Sequence, residues 1–274
     1  MTRPRTIIVG LATATVLIGL AATLVALRPQ GKPTDVPSSV AAATTTVSAG
    51  GQTGFDDPVT DQLGRKVLMP RNPAGEVQTQ RDPRGVRSEC SPSTPITSPE
   101  GVQIQRSFNI SILTSATDGP ARLDGLTPRG YQRSPQGAAL AGWNFAARLM
   151  SGGAPQHEAL DKVAVLTQAE RTQLDALSAT AAPTSDKAAA YLQMMLAPEA
   201  FRVLSCDQDF VAVEWALRAD ADAAGRPTTE KWVGHRLNLL WRNGDWSAQM
   251  IREHQSIGSG KRYASLEGWT TWTW

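Results

Sequence analysis

Cysteine and histidine are scarce in this chain, two of the first and three of the second in 274 residues. They are scattered as well, with no two at the spacing that metal ligands adopt, so no metal site is expected. A Gly-rich phosphate loop and an H-E-x-x-H helix are missing, which removes the signatures of nucleotide cradling and zinc hydrolysis. Excess charge is missing too. A formal net charge of +2 falls short of the basic footprint of a nucleic-acid-binding domain, so no nucleic acid is expected as a partner. Nothing in the residues calls for a cofactor.

Long apolar runs are absent with one exception. Residues 6–27 are uncharged, follow Arg3 and Arg5, and stop at Arg28. As a helix the run spans roughly 33 Å, enough to cross a hydrocarbon core of about 30 Å. The positive-inside bias then leaves residues 1–5 as a cytoplasmic tail and places everything from Arg28 onward outside the cell membrane. A cleaved signal peptide is the rival reading. Its apolar core is about 7–15 residues long with a small-residue site close behind, whereas the first A-x-A-like site here, Ala41 to Ala43, is well downstream. The expectation is a retained, single-pass anchor in the lipid bilayer with an extracellular C-terminal domain. In that compartment Cys90 and Cys206 are expected to form a disulfide, and a loop of about 115 residues would contribute roughly 4–5 kcal/mol by chain entropy.

Residues 28–60 are rich in Pro, Ser, Thr, Ala and Gly and poor in large apolar side chains. Such a stretch cannot offset its ordering entropy and reads as a disordered linker. From residue 62 the chain stays Pro-rich but gains Arg65, Lys66, Arg71, Arg81, Arg84 and Arg87. This part reads either as a basic arm for anionic lipid or cell-wall polymer, or as a solvated wrap along the domain stapled by Cys90. The linker is therefore drawn over 28–99, an α+β domain over 100–256, and a Trp-rich tail over 257–274.

Within the domain, alternation predicts one strand over 102–113, and Thr117 to Pro120 marks a turn. Ser134-Pro135 opens a helix over 136–150 that closes at Gly152-Gly153. Weaker helical patterns follow over 157–165, over 167–178 behind a Thr167/Glu170 capping box, and from Ser185 or Asp186 to Leu196. The period then drops to two, giving strands over 201–205, 210–218, 231–242 and 246–254, the last two joined by Asn243-Gly244. Helices followed by long antiparallel strands imply helices packed on one face of a curved sheet.

That order, ending on Trp241-Arg242-Asn243-Gly244-Asp245-Trp246, resembles the NTF2-like cone, whose membrane-anchored members include VirB8-like and TcpC-like subunits of conjugation machines. The wording of residues 115–120 and 130–141, with Leu266-Glu267-Gly268-Trp269, resembles actinobacterial anchored proteins of unknown function associated with integrative and conjugative elements. These resemblances imply an NTF2-like fold and an accessory, non-enzymatic subunit of a conjugation or mobile-element transport machine. Its partners would be other membrane or secretion-machine proteins, or further copies of itself. They carry no catalytic residues over.

The residues themselves offer little chemistry. His235 alternates with Val233 and Leu237 and so shares their face, where a base could work beside Asp209 or Glu214; the favoured reading is a core or rim histidine with a hydrogen-bond partner, since Glu214 lies on the face opposite Val213 and Trp215. Ser134 reads as a helix cap, since no G-x-S-x-G surrounds it. The alternative to an assembly domain is an extracytoplasmic module with an apolar pocket for a small ligand or lipid, lined by Trp215, His235 and Trp241. Finally, Trp269, Trp272 and Trp274 crowd the last residues. They form a candidate interface, or else fold back over an open sheet edge.

Overall fold

A computed structural model of the chain describes residues 52–82, 96–178, 192–221, 226–249 and 260–274. The expected anchor (6–27), most of the Pro/Ser/Thr-rich linker, Arg84, Arg87 and Cys90 lie outside the described residues. Most of the helix expected to end at Leu196 lies outside them as well. Among the described residues no helix is long and apolar enough to cross a membrane.

The chain enters on β1 (Phe55–Thr60) and β2 (Lys66–Pro70), two antiparallel strands inside what the composition marks as linker. Next come β3 (Gln103–Ser107) and β4 (Ile110–Thr114), so the single strand expected over 102–113 is a hairpin. Its turn is Phe108-Asn109, both at positive φ (46° and 67°), the left-handed pair that a two-residue hairpin demands. β2 runs parallel to β3, which completes a four-stranded sheet in the order β1-β2-β3-β4. A small ribbon of β5 (Arg122–Asp124) and β6 (Thr127–Arg129) follows.

Three helices come next. Helix α1 (Pro135–Ser151) begins as its residues dictate: Ser134 Oγ accepts from Gly137 N at 3.0 Å, and proline occupies the first turn. Helix α2 is Gly153–Val163 and helix α3 is Gln168–Ser178. At the start of α3 the Glu170 carboxylate accepts from Thr167 N at 2.7 Å. In return Glu170 N donates to Thr167 Oγ1 at 3.4 Å, closing the reciprocal capping box. Between α2 and α3 lies β7 (Ala164–Val165).

The remaining strands are β8 (Ala200–Asp207), β9 (Phe210–Arg218), β10 (Trp232–Arg242), β11 (Asp245–Gln249), β12 (Arg262–Tyr263) and β13 (Thr270–Thr271). They form a seven-stranded sheet in the order β13-β8-β9-β10-β11-β7, with β12 on β10. The β10–β11 turn is Asn243-Gly244, at φ 52° and 77°.

This architecture corrects the expected α+β, NTF2-like cone. Among the described residues strands outnumber helices thirteen to three, and this part of the molecule is mostly sheet. Helix α1 does not lie over one face of a lone curved sheet. It is wedged between the four-stranded sheet and the inner face of the seven-stranded one, with every residue but Met150 buried. A helix apolar almost all round is suited to such a place. One continuous core joins Ile104 and Leu113 from the small sheet, Leu140 and Phe145 from α1, and Val213, Trp215 and Leu239 from the large sheet.

Two polar side chains of α1 complete the edge of β4. Asn144 accepts from Leu113 N at 2.8 Å and donates to Leu113 O at 2.7 Å, replacing a neighbouring strand. Trp143 Nε1 donates to Ser111 O at 3.0 Å. Leu113 N and O and Ser111 O on the outward edge of β4 are thereby paired, as a buried sheet edge favours.

Candidate functional site

The pocket expected beneath Trp215, His235 and Trp241 is filled, which corrects that reading. Trp215 is buried against α1, where its Nε1 donates to Ala139 O at 3.1 Å. Gly142 makes the approach possible, since a Cβ there would lie 2.6 Å from the Trp215 ring. Trp241 stacks edge-on against Trp246 at 5.2 Å beneath the Arg133 guanidinium. His235 pairs in register with Trp215 on the α1 side of β10. The residue is only partly buried, yet its Nδ1 is sealed from solvent and has no hydrogen-bond partner. Burial holds the imidazole neutral, with its pKa pushed down to about 4. Glu214 projects from the opposite face of β9 and does not orient the ring from its own side.

The tryptophan tail is also corrected as an interface. Trp269 and Trp272 are buried within the chain, while Trp274 is half exposed beneath the Arg65 guanidinium. The tail folds back: β13 pairs with β8, and Trp272 packs on Phe201 at 4.5 Å. What the tail covers is the first of three buried polar centres. Glu214, fully buried, accepts from Arg202 Nε and Nη2 at 2.8 and 2.6 Å, from Arg236 Nε at 3.0 Å and from the Tyr263 hydroxyl at 3.0 Å. Arg202 is stacked over Trp269 at 4.4 Å. Gly234 creates the cradle, because a Cβ there would come within 2.2 Å of Glu214 Oε1.

Asp118 is the second centre. Its carboxylate accepts from Ser134 Oγ at 2.5 Å and Thr117 Oγ1 at 2.8 Å, joining the turn after β4 to the start of α1. Burial without a cation raises its pKa, and the two hydroxyl donors oppose that rise. Ser134 therefore serves as cap and tie. Among the described residues His157 is paired loosely with Asp175 at the surface and His235 sits in the large sheet, so neither activates Ser134.

The third centre lies where α1 meets the β10–β11 turn. Asp245, also fully buried, accepts from Gly130 N at 2.6 Å, Trp246 N at 2.9 Å and Arg129 Nε at 3.2 Å. Beside it Tyr131 and Arg148 are buried. The Tyr131 hydroxyl accepts from Asn144 Nδ2 at 2.8 Å. Arg148 donates from Nε to Leu126 O at 2.9 Å and from Nη2 to Ala74 O at 2.7 Å, and its guanidinium stacks on the Phe108 ring at 5.0 Å. Its Nη1 is buried with no partner. Desolvation lowers its pKa to about 10, so it stays charged at neutral pH. A crevice of about 230 Å³, mouth included, opens here between Thr127, Arg129, Tyr131, Asn144, Arg148 and Trp246. Sequence reading missed this centre. The signal was an arginine and an asparagine inside a helix apolar on every side, which must bury both.

Fold and sites together define a two-sheet protein with a central buried helix, a tail-covered outer face and one cationic crevice. The chain belongs to the family described as Domain of unknown function (DUF8175), which it matches over residues 69–271. The match starts within β2, so β1 precedes it. No curated protein and no solved structure matches the chain.

Proposed function

We propose that this chain is a non-enzymatic, single-pass membrane protein that presents its two-sheet domain outside the cell membrane. There it would assemble with other membrane or secretion-machine proteins, or with further copies of itself. The observation that carries this reading is the uncharged apolar run at 6–27 between flanking arginines, followed by a Pro/Ser/Thr-rich stretch and then a folded domain. The buried acids add support. Asp118, Glu214 and Asp245 are each filled by internal donors that tie neighbouring elements together. The likeness of residues 115–120, 130–141 and 266–269 to anchored proteins of integrative and conjugative elements supports an accessory role in conjugation or mobile-element transport. With the cone topology corrected, that role rests on this likeness alone.

Three measurements test the proposal. In alkaline extraction the full chain should stay with the membrane pellet, and protease added to intact cells should remove the C-terminal domain. A freely soluble chain, or a domain protected until the cells are broken, would overturn the anchored reading. Cross-linking in native membranes followed by affinity capture should then recover membrane or transport-machine subunits, or a dimer of this chain.

A further inference from the structure

We infer that the crevice at Arg148 is a binding site for a small monovalent anion, no larger than a halide ion or a single carboxylate group. The argument begins with the arginine. Arg148 is fully buried on α1, yet among the described residues no carboxylate pairs with it: its two hydrogen bonds go to the carbonyls of Leu126 and Ala74, and its face is covered by Phe108. Buried charges are ordinarily paired, because desolvation of an uncompensated ion is costly. The nearby acids are committed elsewhere. Glu158 accepts from Leu126 N at 2.8 Å and pairs with Lys162 at 3.1 Å. Asp245 is taken by Arg129, Arg122 and three backbone amides.

The remaining donor, Arg148 Nη1, belongs to a residue that lines the crevice, and Arg129 brings a second guanidinium to the same wall. Thr127, Tyr131 and Trp246 also line it, with the Thr127 hydroxyl donating to Glu158 at 3.1 Å. Size selects the ligand. The interior has room for about one water-sized sphere, so a halide, being wider than water, enters only as the lining yields slightly, and sulfate, phosphate and nucleotides are excluded. The site makes no use of the membrane anchor, so it stands or falls apart from the proposed function.

The test uses the full chain in detergent and chloride itself as the probe. At fixed ionic strength, with gluconate as the replacing anion, ³⁵Cl NMR should show saturable excess line broadening that bromide and formate both abolish and sulfate does not. Arg148→Met should lose at least nine-tenths of that broadening, whereas Arg122→Gln, at the exposed side of Asp245, should keep it. Equal broadening in Arg148→Met and the parent would overturn the site, as would broadening that never saturates. Should Arg148→Met fail to fold, bromide-soaked crystals of the parent decide the matter. An anomalous peak beside Arg148 Nη1 is expected, and a water there with no bromide would refute the inference. Displacement by formate but not by bromide would show a site that takes chloride and a carboxylate group but excludes the larger halide.

Discussion

At the scale of single residues the molecule depends on a few side chains that are either absent or sealed. Gly142 is the clearest absence. Alanine is favoured over glycine in a helix by about 1 kcal/mol, yet its Cβ would press on Trp215 at 2.6 Å, and overpacking a filled core costs about 1–3 kcal/mol. The steric effect wins, and Gly142→Ala should lower the denaturation midpoint in urea by an amount equal to roughly 1 kcal/mol. His235 is the sealed case. Its pKa falls from 6.5 to about 4 on folding, so its contribution is present above pH 6.5 and is lost as the pH drops through that window. At 1.36 kcal/mol for each pH unit the effect is at most roughly 3 kcal/mol. Stability measured from pH 7 down to 4 should therefore fall less steeply in His235→Gln than in the parent; parallel curves would show that the ring is solvated. Asp118 acts in the opposite sense. Its raised pKa makes its contribution present below the unfolded value of 3.8 and lost as pH rises through the folded one.

At the scale of elements, β1 shows how an exposed strand avoids unwanted pairing. All six of its residues are exposed, and its outer edge faces solvent. That edge carries Asp56, Asp57 and Pro58, and the ladder to β2 is irregular between Asp56 and Val59. Charge, proline and bulge each discourage addition of a further strand. The double change Asp57→Thr and Pro58→Val, which leaves the Asp56–Arg71 pair in place, should turn the edge sticky. Sedimentation velocity should then show concentration-dependent association, and an unchanged single species would contradict this account.

The elements also show which signals a sequence carries. Helix α1, the α3 capping box and the Asn243-Gly244 turn announce themselves through local chemistry, and the structure places each within a residue or two of its expected position, while residues 250–254 of the last expected strand lie outside the described residues. The β3–β4 hairpin gave no such signal, because its turn puts Phe108, a residue with no preference for positive φ, in a left-handed conformation beneath the Arg148 guanidinium. β1 and β2 were hidden by proline and by brevity: a five-residue strand stabilised from outside has almost no period of its own. The Arg148 centre draws on segments about 70 residues apart in the chain, and only the burial of α1 on all sides hinted at it.

At the scale of the whole molecule, distant parts of the chain are tied together. Cys206 is held in a disulfide, and the other cysteine of the chain is Cys90, outside the described residues. Closing a loop of that length should contribute several kcal/mol, about 4–5 by chain entropy. Dithiothreitol should lower the unfolding temperature of the parent by several degrees and leave that of Cys206→Ala unchanged; a parent insensitive to reductant would refute the stabilising role. A second tie is polar. Leu113 of β4 bonds to Asn144 of α1, Asn144 to the Tyr131 hydroxyl, and Tyr131 N to Asp245 of β11 at 3.3 Å.

That chain of contacts has a mechanical meaning. A domain pulled from the N-terminal side feels the load first at β1, an edge strand that can peel from β2 one bonded pair at a time. Behind it the linkage from β4 through α1 to β11 ties the two sheets together, so both would resist as one body. Stretching by optical tweezers should yield a small early extension from β1, then a single large rupture: a sacrificial ribbon in series with a rigid block.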